Sequence, residues 1–324
     1  PVVDLNAAFR SAIVATRSYG SNPETVLAQA RINVRTFQEH GIAATAKHWP
    51  GEGFDDRDQH LVTTLNPLDI GPWHSSFGRI YRQLIDDGVM SVMSAHIAFP
   101  AYAKAHGAQG LESCRPASVS RLLNQQLLRE ELGFNGVIVS DAAGMGGLTS
   151  WAERAQLVCD IFNSGCDMLL FPSPLEGDLA HLEHGLANGH VSWERIDEAL
   201  LRVLGMKAAL GLHRQSMDQR LPAITQAQRV IRQASHIEIE KTVASACVSL
   251  VKDVQGLLPL SPEKHRRIVL VTDPERSGFA FQAPPPLVLP GLLSEHGFEV
   301  RTFDPQQPPT AQDTDLVLYL LAQE

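Results

Sequence analysis

The sequence predicts an α/β fold: a (β/α)8 TIM-type barrel that lacks its first strands, followed by part of a second α/β domain. Short, continuous apolar runs alternate with longer amphipathic segments through the first 212 residues, which is typical of strands buried on both faces of a parallel sheet. Polar residues cluster where the runs end, and barrel enzymes build their sites at that end of the strands. A doubly wound sheet would share both features, but no glycine-rich phosphate loop follows the first run, so the barrel is favoured.

The apolar runs of strand length are PVVDLN, GIAATAKH, GVMSVMSAH, GVIVSD and CDMLLFP. Helices are predicted in NPETVLAQARINVRTFQEHG, SSFGRIYRQLIDDG and SVSRLLNQQLLREELGF, and a closing helix in SWERIDEALLRVLGMKAALGL. Asn22-Pro23 and Asn66-Pro67 are predicted helix starts, because asparagine caps the first turn and proline fits its first position.

The composition is that of an ordinary folded protein, with 44% hydrophobic and 19% charged residues. A formal net charge of −9 makes nucleic acid an improbable partner, since binding it requires a surface that neutralises phosphates. No apolar run reaches the roughly 18 residues that a membrane span needs. The four cysteines are scattered without a CxxC pair, which favours free thiols over disulfides or a zinc site.

A second domain is predicted after a change of composition at Leu212. We expect a barrel over 1–212, a polar linker over 213–234, and a smaller α/β domain over 235–324. Its predicted elements are a helix in ASHIEIEKTVASA and strands in CVSLVKD, RRIVLVTD, FEVRTFD and DLVLYLLA. Because apolar, strand-like segments stand at both ends of the chain, both domains are expected to be truncated.

Asp141 is the first candidate for chemistry. It follows four apolar residues and Ser140 in GVIVSDAAGM, so it is expected at the open end of a buried strand. A carboxylate held rigidly in that position suits a nucleophile for covalent catalysis. The alternative is a helix N-cap, a position that serine and aspartate also favour.

The segment KHWPGEGFDDRDQH contains a second candidate, the pair Asp58 and His60. A carboxylate hydrogen-bonded to an imidazole fixes its tautomer and favours its protonated form, which predicts His60 as a proton donor. Two alternatives remain: a solvated acidic loop, and a metal site formed with His48. The spacing matches no recognised ligand motif such as HExxH, so no metal is expected.

Together these segments resemble glycoside hydrolase family 3, in particular its bacterial β-N-acetylglucosaminidase branch. KHWPGEG followed by DDRDQH is similar to the branch signature KHFPGHG...DSH, and RSYG is similar to RSFG. The family's later strand segment resembles VMSAHIAFP, and its nucleophile segment resembles PASVS...LLREELGFNGVIVSDAAGM. The start of its second domain resembles VSLVKDVQGLLPL, which implies a three-layer α/β sandwich over 235–324. The resemblance covers nearly the whole chain.

The resemblance implies a retaining glycosidase that needs no cofactor and acts on a small β-glycoside. Asp141 would be the nucleophile, and His60, paired with Asp58, the acid/base. The branch favours a terminal N-acetylglucosamine, removed by exo action in a cytoplasmic or periplasmic bacterial enzyme. The alternatives are a β-glucosidase, a phosphorolytic enzyme, since a histidine acid/base does not repel phosphate, and a non-catalytic sugar-binding barrel.

Five further residues are predicted to contact the sugar. The resemblance implies that Lys47, His48 and Arg17 hold its hydroxyls, and an arginine fork suits that task. His96 ends a predicted strand and could line the cavity, and Met145 could pack on the pyranose ring. The alternatives are a surface ion pair for Arg17 and structural roles for the other two.

The chain also departs from the branch pattern. Glu52 stands where the branch usually has histidine, and Glu52 and Asp55 are expected to be loop charges without a chemical role. Phe54-Asp55 and Ala142-Ala143 differ as well, and the early DQEGG-like segment with an acidic substrate-binding residue is absent. These differences predict a side branch with altered specificity and an incomplete site in the chain taken alone.

Overall fold

The computed structural model describes residues 1–11, 13–172, 174–221, 223–272 and 288–320. The chain folds as two compact units, Pro1–Leu221 and Pro222–Glu324, and each is an α/β unit with a parallel sheet. The strands of the first unit are β1 (Thr45–Trp49), β2 (Thr64–Leu65), β3 (Ser91–Ser94), β4 (Ile97–Ala98), β5 (Val137–Ala142) and β6 (Met168–Leu170).

The helices of the first unit are α1 (Pro23–Glu39), α2 (Ile70–Trp73), α3 (Arg79–Asp86), α4 (Pro100–Ala105), α5 (Gly146–Thr149), α6 (Arg154–Ser164), α7 (Leu175–Ala187), α8 (Trp193–Ala209) and α9 (Met217–Arg220). A π-helical segment, His74–Gly78, joins α2 to α3, and another spans Leu122–Glu131. Short 3₁₀ turns lie at Ala15–Arg17, Gly110–Cys114, Ala117–Val119 and Leu212–Arg214.

The main sheet of the first unit has the order β1-β3-β5-β6, and all its strands are parallel. Val2 adds a parallel bridge to Lys47 beside β1, so all five predicted apolar runs take part in strand pairing. Neighbouring strands follow one another in sequence, as they do in a barrel. Within the described residues the sheet stays open. Because the strands are parallel, their carboxyl ends lie at the same side of the sheet, and this side carries Asp4, His48, His96 and Asp141.

The predicted helices of the first unit are confirmed, with one start misplaced. Asn22 caps α1, and its Oδ1 accepts from the backbone N–H groups of Glu24 and Thr25. Asn66 does not cap a helix, because its Oδ1 accepts from the N–H of Leu68 at 3.2 Å and closes a turn, so α2 begins at Ile70. No helix in the described ranges is long and apolar enough to cross a membrane.

An aromatic cluster packs the sheet against α2 and α3. Trp49 is fully buried, with its ring 5.6 Å from that of Trp73 and 4.8 Å from that of Tyr81. The indole of Trp73 donates to the carbonyl of Pro50 at 2.9 Å. Trp49 is therefore a core residue. The edge-on geometry is the arrangement that aromatic rings favour.

The second unit contains a three-stranded parallel sheet of order β8-β7-β9. Its elements are α10 (Ile224–Val230), α11 (Ala234–Cys247), β7 (Arg267–Thr272), α12 (Leu289–Glu295), β8 (Glu299–Thr302) and β9 (Leu316–Leu320). The predicted strand in CVSLVKD is wrong: residues 248–253 have no regular structure, and Val251 is 94% exposed. A strand needs a paired neighbour, and no described strand lies beside this segment.

Candidate active site

Asp141 lies in β5, one residue before the strand ends. β5 is paired on both sides, with β3 and with β6, which holds its backbone rigidly. The carboxylate is largely buried, at 8% exposure, and Oδ1 accepts from the N–H of Ala142 at 2.7 Å. Met145 occupies the N-cap of the next helix, α5, so Asp141 is not a helix cap.

Asp58 and His60 form a hydrogen-bonded pair in the loop after β1. Oδ1 of Asp58 accepts from Nδ1 of His60 at 2.7 Å and from its backbone N–H at 2.8 Å. Because the carboxylate accepts at Nδ1, the proton sits there in the neutral ring, and Nε2 is the nitrogen that can exchange a proton with a ligand. Both side chains are partly exposed, at 31% for His60 and 21% for Asp58.

The loop that carries His60 rests on the segment that follows Asp141. The N–H of Gly146 donates to the carbonyl of His60 at 2.7 Å, and the N–H of Gly147 donates to that of Gln59 at 3.1 Å. A Cβ on Gly146 would lie 2.4 Å from the carbonyl oxygen of Leu61. Only glycine permits this approach, which brings the two catalytic candidates to the same edge of the sheet.

His96 follows β3 and is fully buried. Its Nε2 donates to the carbonyl of Ala142 at 3.0 Å, and Nδ1 lies 2.8 Å from the hydroxyl of Ser118. Burial lowers the pKa of His96, so the ring is neutral and Nδ1 accepts from the hydroxyl. Both ring nitrogens therefore contact protein groups next to Asp141, and a contact between His96 and the sugar stays a prediction.

Asp4, which sequence reasoning missed, holds His48 in place. Its Oδ2 accepts from Nδ1 of His48 at 2.7 Å, and its Oδ1 accepts from the backbone N–H groups of His48 and Glu52 at 3.1 and 2.9 Å. Burial acts to raise the pKa of Asp4, but the His48 charge and these hydrogen bonds lower it below its ordinary value. The sequence did contain a signal for Asp4, namely an acidic residue within the apolar run PVVDLN.

The other predicted sugar contacts lie in different settings. Lys47 is half-buried in β1, its backbone paired with Pro1 and Val3, and its ammonium has no hydrogen bond or ion pair to the described residues. Met145 is buried, at 7% exposure, and follows Asp141 by four residues. Arg17 is exposed, and its guanidinium donates to the carbonyl of Ile13 at 3.3 Å. Among the described contacts, none joins Arg17 to the Asp141–His60 edge.

Glu52 is buried, at 3% exposure, where a solvated loop charge was expected. Its carboxylate accepts from Nε2 of Gln59 at 2.9 Å and from the hydroxyl of Thr64 at 3.2 Å. Burial, with repulsion from Asp4, raises the pKa of Glu52 to about 7. Asp4, His48 and Glu52 are close enough to ligate a metal, but both carboxylates already accept protein hydrogen bonds, which favours a hydrogen-bonded network.

The raised pKa predicts a pH-dependent stability. A neutral buried Glu52 stabilises the fold at low pH, and this contribution is lost as the pH rises from its ordinary pKa of 4.5 through about 7. As the pH rises from 5 to 8, the wild type should therefore lose up to about 3 kcal/mol in free energy of unfolding relative to E52Q, which has no ionisable group at this position. Denaturant unfolding of both proteins at the two pH values measures this loss, and an unchanged difference would contradict it.

Comparison with known proteins identifies the family. Residues 1–206 match the glycosyl hydrolase family 3 N-terminal domain. The chain belongs to glycosyl hydrolase family 3. A Beta-N-acetylglucosaminidase/beta-glucosidase from Cellulomonas fimi is 39% identical over an alignment of 334 residues. The alignment covers 99% of this chain and 58% of that protein. The family resemblance predicted from the motifs is thereby confirmed.

Solved structures of other proteins share this fold. A β-glucoside phosphorylase, 35% identical, superposes with a TM-score of 0.87 over 98% of this chain and 58% of its own. A family 3 β-N-acetylglucosaminidase from Paenibacillus sp. str. FPU-7 shares the fold, with a TM-score of 0.80 at 24% identity over 99% of this chain and 61% of its own. The chain therefore spans about three fifths of the length of these relatives.

Proposed function

We propose that the chain carries the catalytic residues of a retaining exo-glycosidase that removes terminal β-linked N-acetylglucosamine. The main support is the hydrogen bonding of the His60 loop to the segment after Asp141, which brings the two residues to the same end of the sheet. A proton donor and a nucleophile must lie close together, because they act on the same glycosidic bond. The name of the Cellulomonas fimi relative, a Beta-N-acetylglucosaminidase/beta-glucosidase, supports the substrate class.

The proposed reaction is a double displacement. A carboxylate oxygen of Asp141 attacks the anomeric carbon while a proton from His60 passes to the departing glycosidic oxygen, and the aglycone leaves as an alcohol. This step forms a covalent glycosyl-enzyme. Water then attacks the anomeric carbon, His60 takes its proton, and the ester bond to Asp141 breaks with the original anomeric configuration restored. Asp58 keeps the imidazole in one orientation through both steps.

The proposed substrate contacts are Lys47, His48 and Arg17, which would hold sugar hydroxyls. Asp4 supports His48 in this role, because it fixes Nδ1 as the protonated nitrogen and leaves Nε2 to contact a hydroxyl. We also propose that the parallel sheet belongs to a (β/α)8 barrel over 1–212, with a linker over 213–234 and a second α/β domain of sandwich type from 235. The sequential strand order and the family support this assignment.

Phosphorolysis is the second candidate. A neutral histidine as acid/base places no negative charge beside the glycosyl-enzyme, so phosphate can approach the anomeric carbon in place of water. The solved relative that is a β-glucoside phosphorylase favours this acceptor and also glucose as the sugar. The two candidates share the first step and differ in the group that accepts the sugar.

One assay separates these candidates. The full-length protein is incubated with the p-nitrophenyl β-glycosides of N-acetylglucosamine and of glucose, with and without phosphate, and the sugar products are identified. We expect p-nitrophenol release, with the N-acetyl substrate preferred and the free sugar as product. A sugar 1-phosphate would establish phosphorolysis, and a preference for glucose would establish the β-glucoside alternative. Binding without release of p-nitrophenol would contradict the proposed enzyme.

A further inference from the structure

Gln59 connects three strand ends of the first unit. It immediately precedes His60 and is 1% exposed. Its Nε2 donates to Oε2 of Glu52 at 2.9 Å, and its Oε1 accepts from the backbone N–H of His96 at 3.1 Å. Its carbonyl accepts from the N–H of Gly147 at 3.1 Å. The residue beside the proposed proton donor is thus fixed to the segments that follow β1, β3 and β5.

The orientation of the Gln59 amide is determined by these partners. A backbone N–H can only donate, so the atom facing His96 must be the oxygen, and the nitrogen must face Glu52. Glu52 is in turn anchored, because its own N–H donates to Asp4 at 2.9 Å. A chain of hydrogen bonds therefore runs from Asp4 through Glu52 and Gln59 to the backbone that carries His60.

We propose that Glu52 is a positioning residue which, acting through Gln59, holds His60 where it can protonate the leaving group. This inference rests on the proposed function. The contact survives a change in the charge of Glu52, because Oε2 accepts from Gln59 in either state while Oε1 can accept from, or donate to, the hydroxyl of Thr64. The titratable groups that act on Glu52 are Asp4, in the first apolar run, and His48, in β1, and both have side-chain atoms within 4.8 Å of its carboxylate.

A glutamine at position 52 reproduces these contacts. Its amide oxygen can accept from Gln59, and its amide nitrogen can donate to Thr64. An alanine at position 52 removes both contacts. E52Q is therefore the conservative variant for which positioning predicts rescue, and E52A is the disruptive one.

The test compares leaving groups that need a proton with one that does not. kcat/KM of the full-length protein is measured on methyl, p-nitrophenyl and 2,4-dinitrophenyl β-glycosides for the wild type, E52A and E52Q. If His60 is displaced, only the reactions whose leaving group requires protonation become slower. General acid catalysis contributes about 10²–10⁴-fold to the rate of such reactions. We expect E52A to lose about 10- to 100-fold more activity on the methyl glycoside than on the dinitrophenyl glycoside.

E52Q should restore the activity that E52A loses. An equal loss of E52A on all three substrates, or an E52Q as impaired as E52A, would overturn the proposal. If E52A does not fold, Q59L tests the same contact from the other side and should show the same selective loss. Wild-type turnover tests the proposed function separately, since a wild type inactive on all three glycosides would refute that function itself.

Discussion

D141N is expected to lower kcat of the full-length protein by about 10³-fold or more on p-nitrophenyl β-N-acetylglucosaminide. The amide is not a nucleophile for covalent catalysis, whereas its shape matches that of the carboxylate. Because β5 is paired on both sides, the strand should stay intact, and the unfolding temperature should change little. The loss of activity would therefore result from the missing nucleophile and not from misfolding.

The matched control for D141N is D69N. Asp69 is an exposed aspartate just before α2, and its side chain makes no capping hydrogen bond. This control should keep wild-type activity. A D141N variant as active as D69N would remove Asp141 from the mechanism and leave the strand end as a structural feature.

H60Q is expected to show the second large effect, a loss of about 10²–10⁴-fold on substrates whose leaving group needs protonation. On a 2,4-dinitrophenyl glycoside the loss should be much smaller, because that leaving group departs without a proton. Stopped assays of kcat/KM on both substrates measure the contrast.

H106Q is the matched control for H60Q. His106 is an exposed histidine after α4 whose Nδ1 contacts the carbonyl of Tyr102 at 2.9 Å, and its replacement should leave activity unchanged. If H60Q were impaired equally on both substrates, His60 would have a structural role and another group would supply the proton.

The strands and the main catalytic candidates could be predicted because their signals are local. Continuous apolar runs identify buried parallel strands, and Asp141 stands at the end of one of them. The pair Asp58 and His60 is separated by a single residue, so the loop backbone alone brings the two side chains together. These interactions depend little on how the rest of the chain folds.

The residues that sequence reasoning missed depend on contacts between distant parts of the chain. Asp4 and His48 are 44 residues apart, and nothing local in either segment indicates their pairing. Glu52 and Gln59 lie in a loop rich in charged residues, which looks solvated until the packing of His96 and Gly147 encloses it.

The wrong strand prediction has its origin in tertiary contacts. The segment CVSLVKD has the composition of a strand, but strand propensity has effect only where a neighbouring strand is present. No described strand lies beside residues 248–253, so the segment forms no regular structure.

The most direct test of the central claim is to trap the glycosyl-enzyme. The full-length protein is incubated with a 2-deoxy-2-fluoro-β-glucosyl fluoride, which slows breakdown of the intermediate, and its intact mass and proteolytic peptides are measured. The account predicts one added fluoroglucosyl group per chain, on the peptide that contains Asp141. An adduct on a different residue, or turnover of glycosides with inversion at the anomeric carbon, would contradict it.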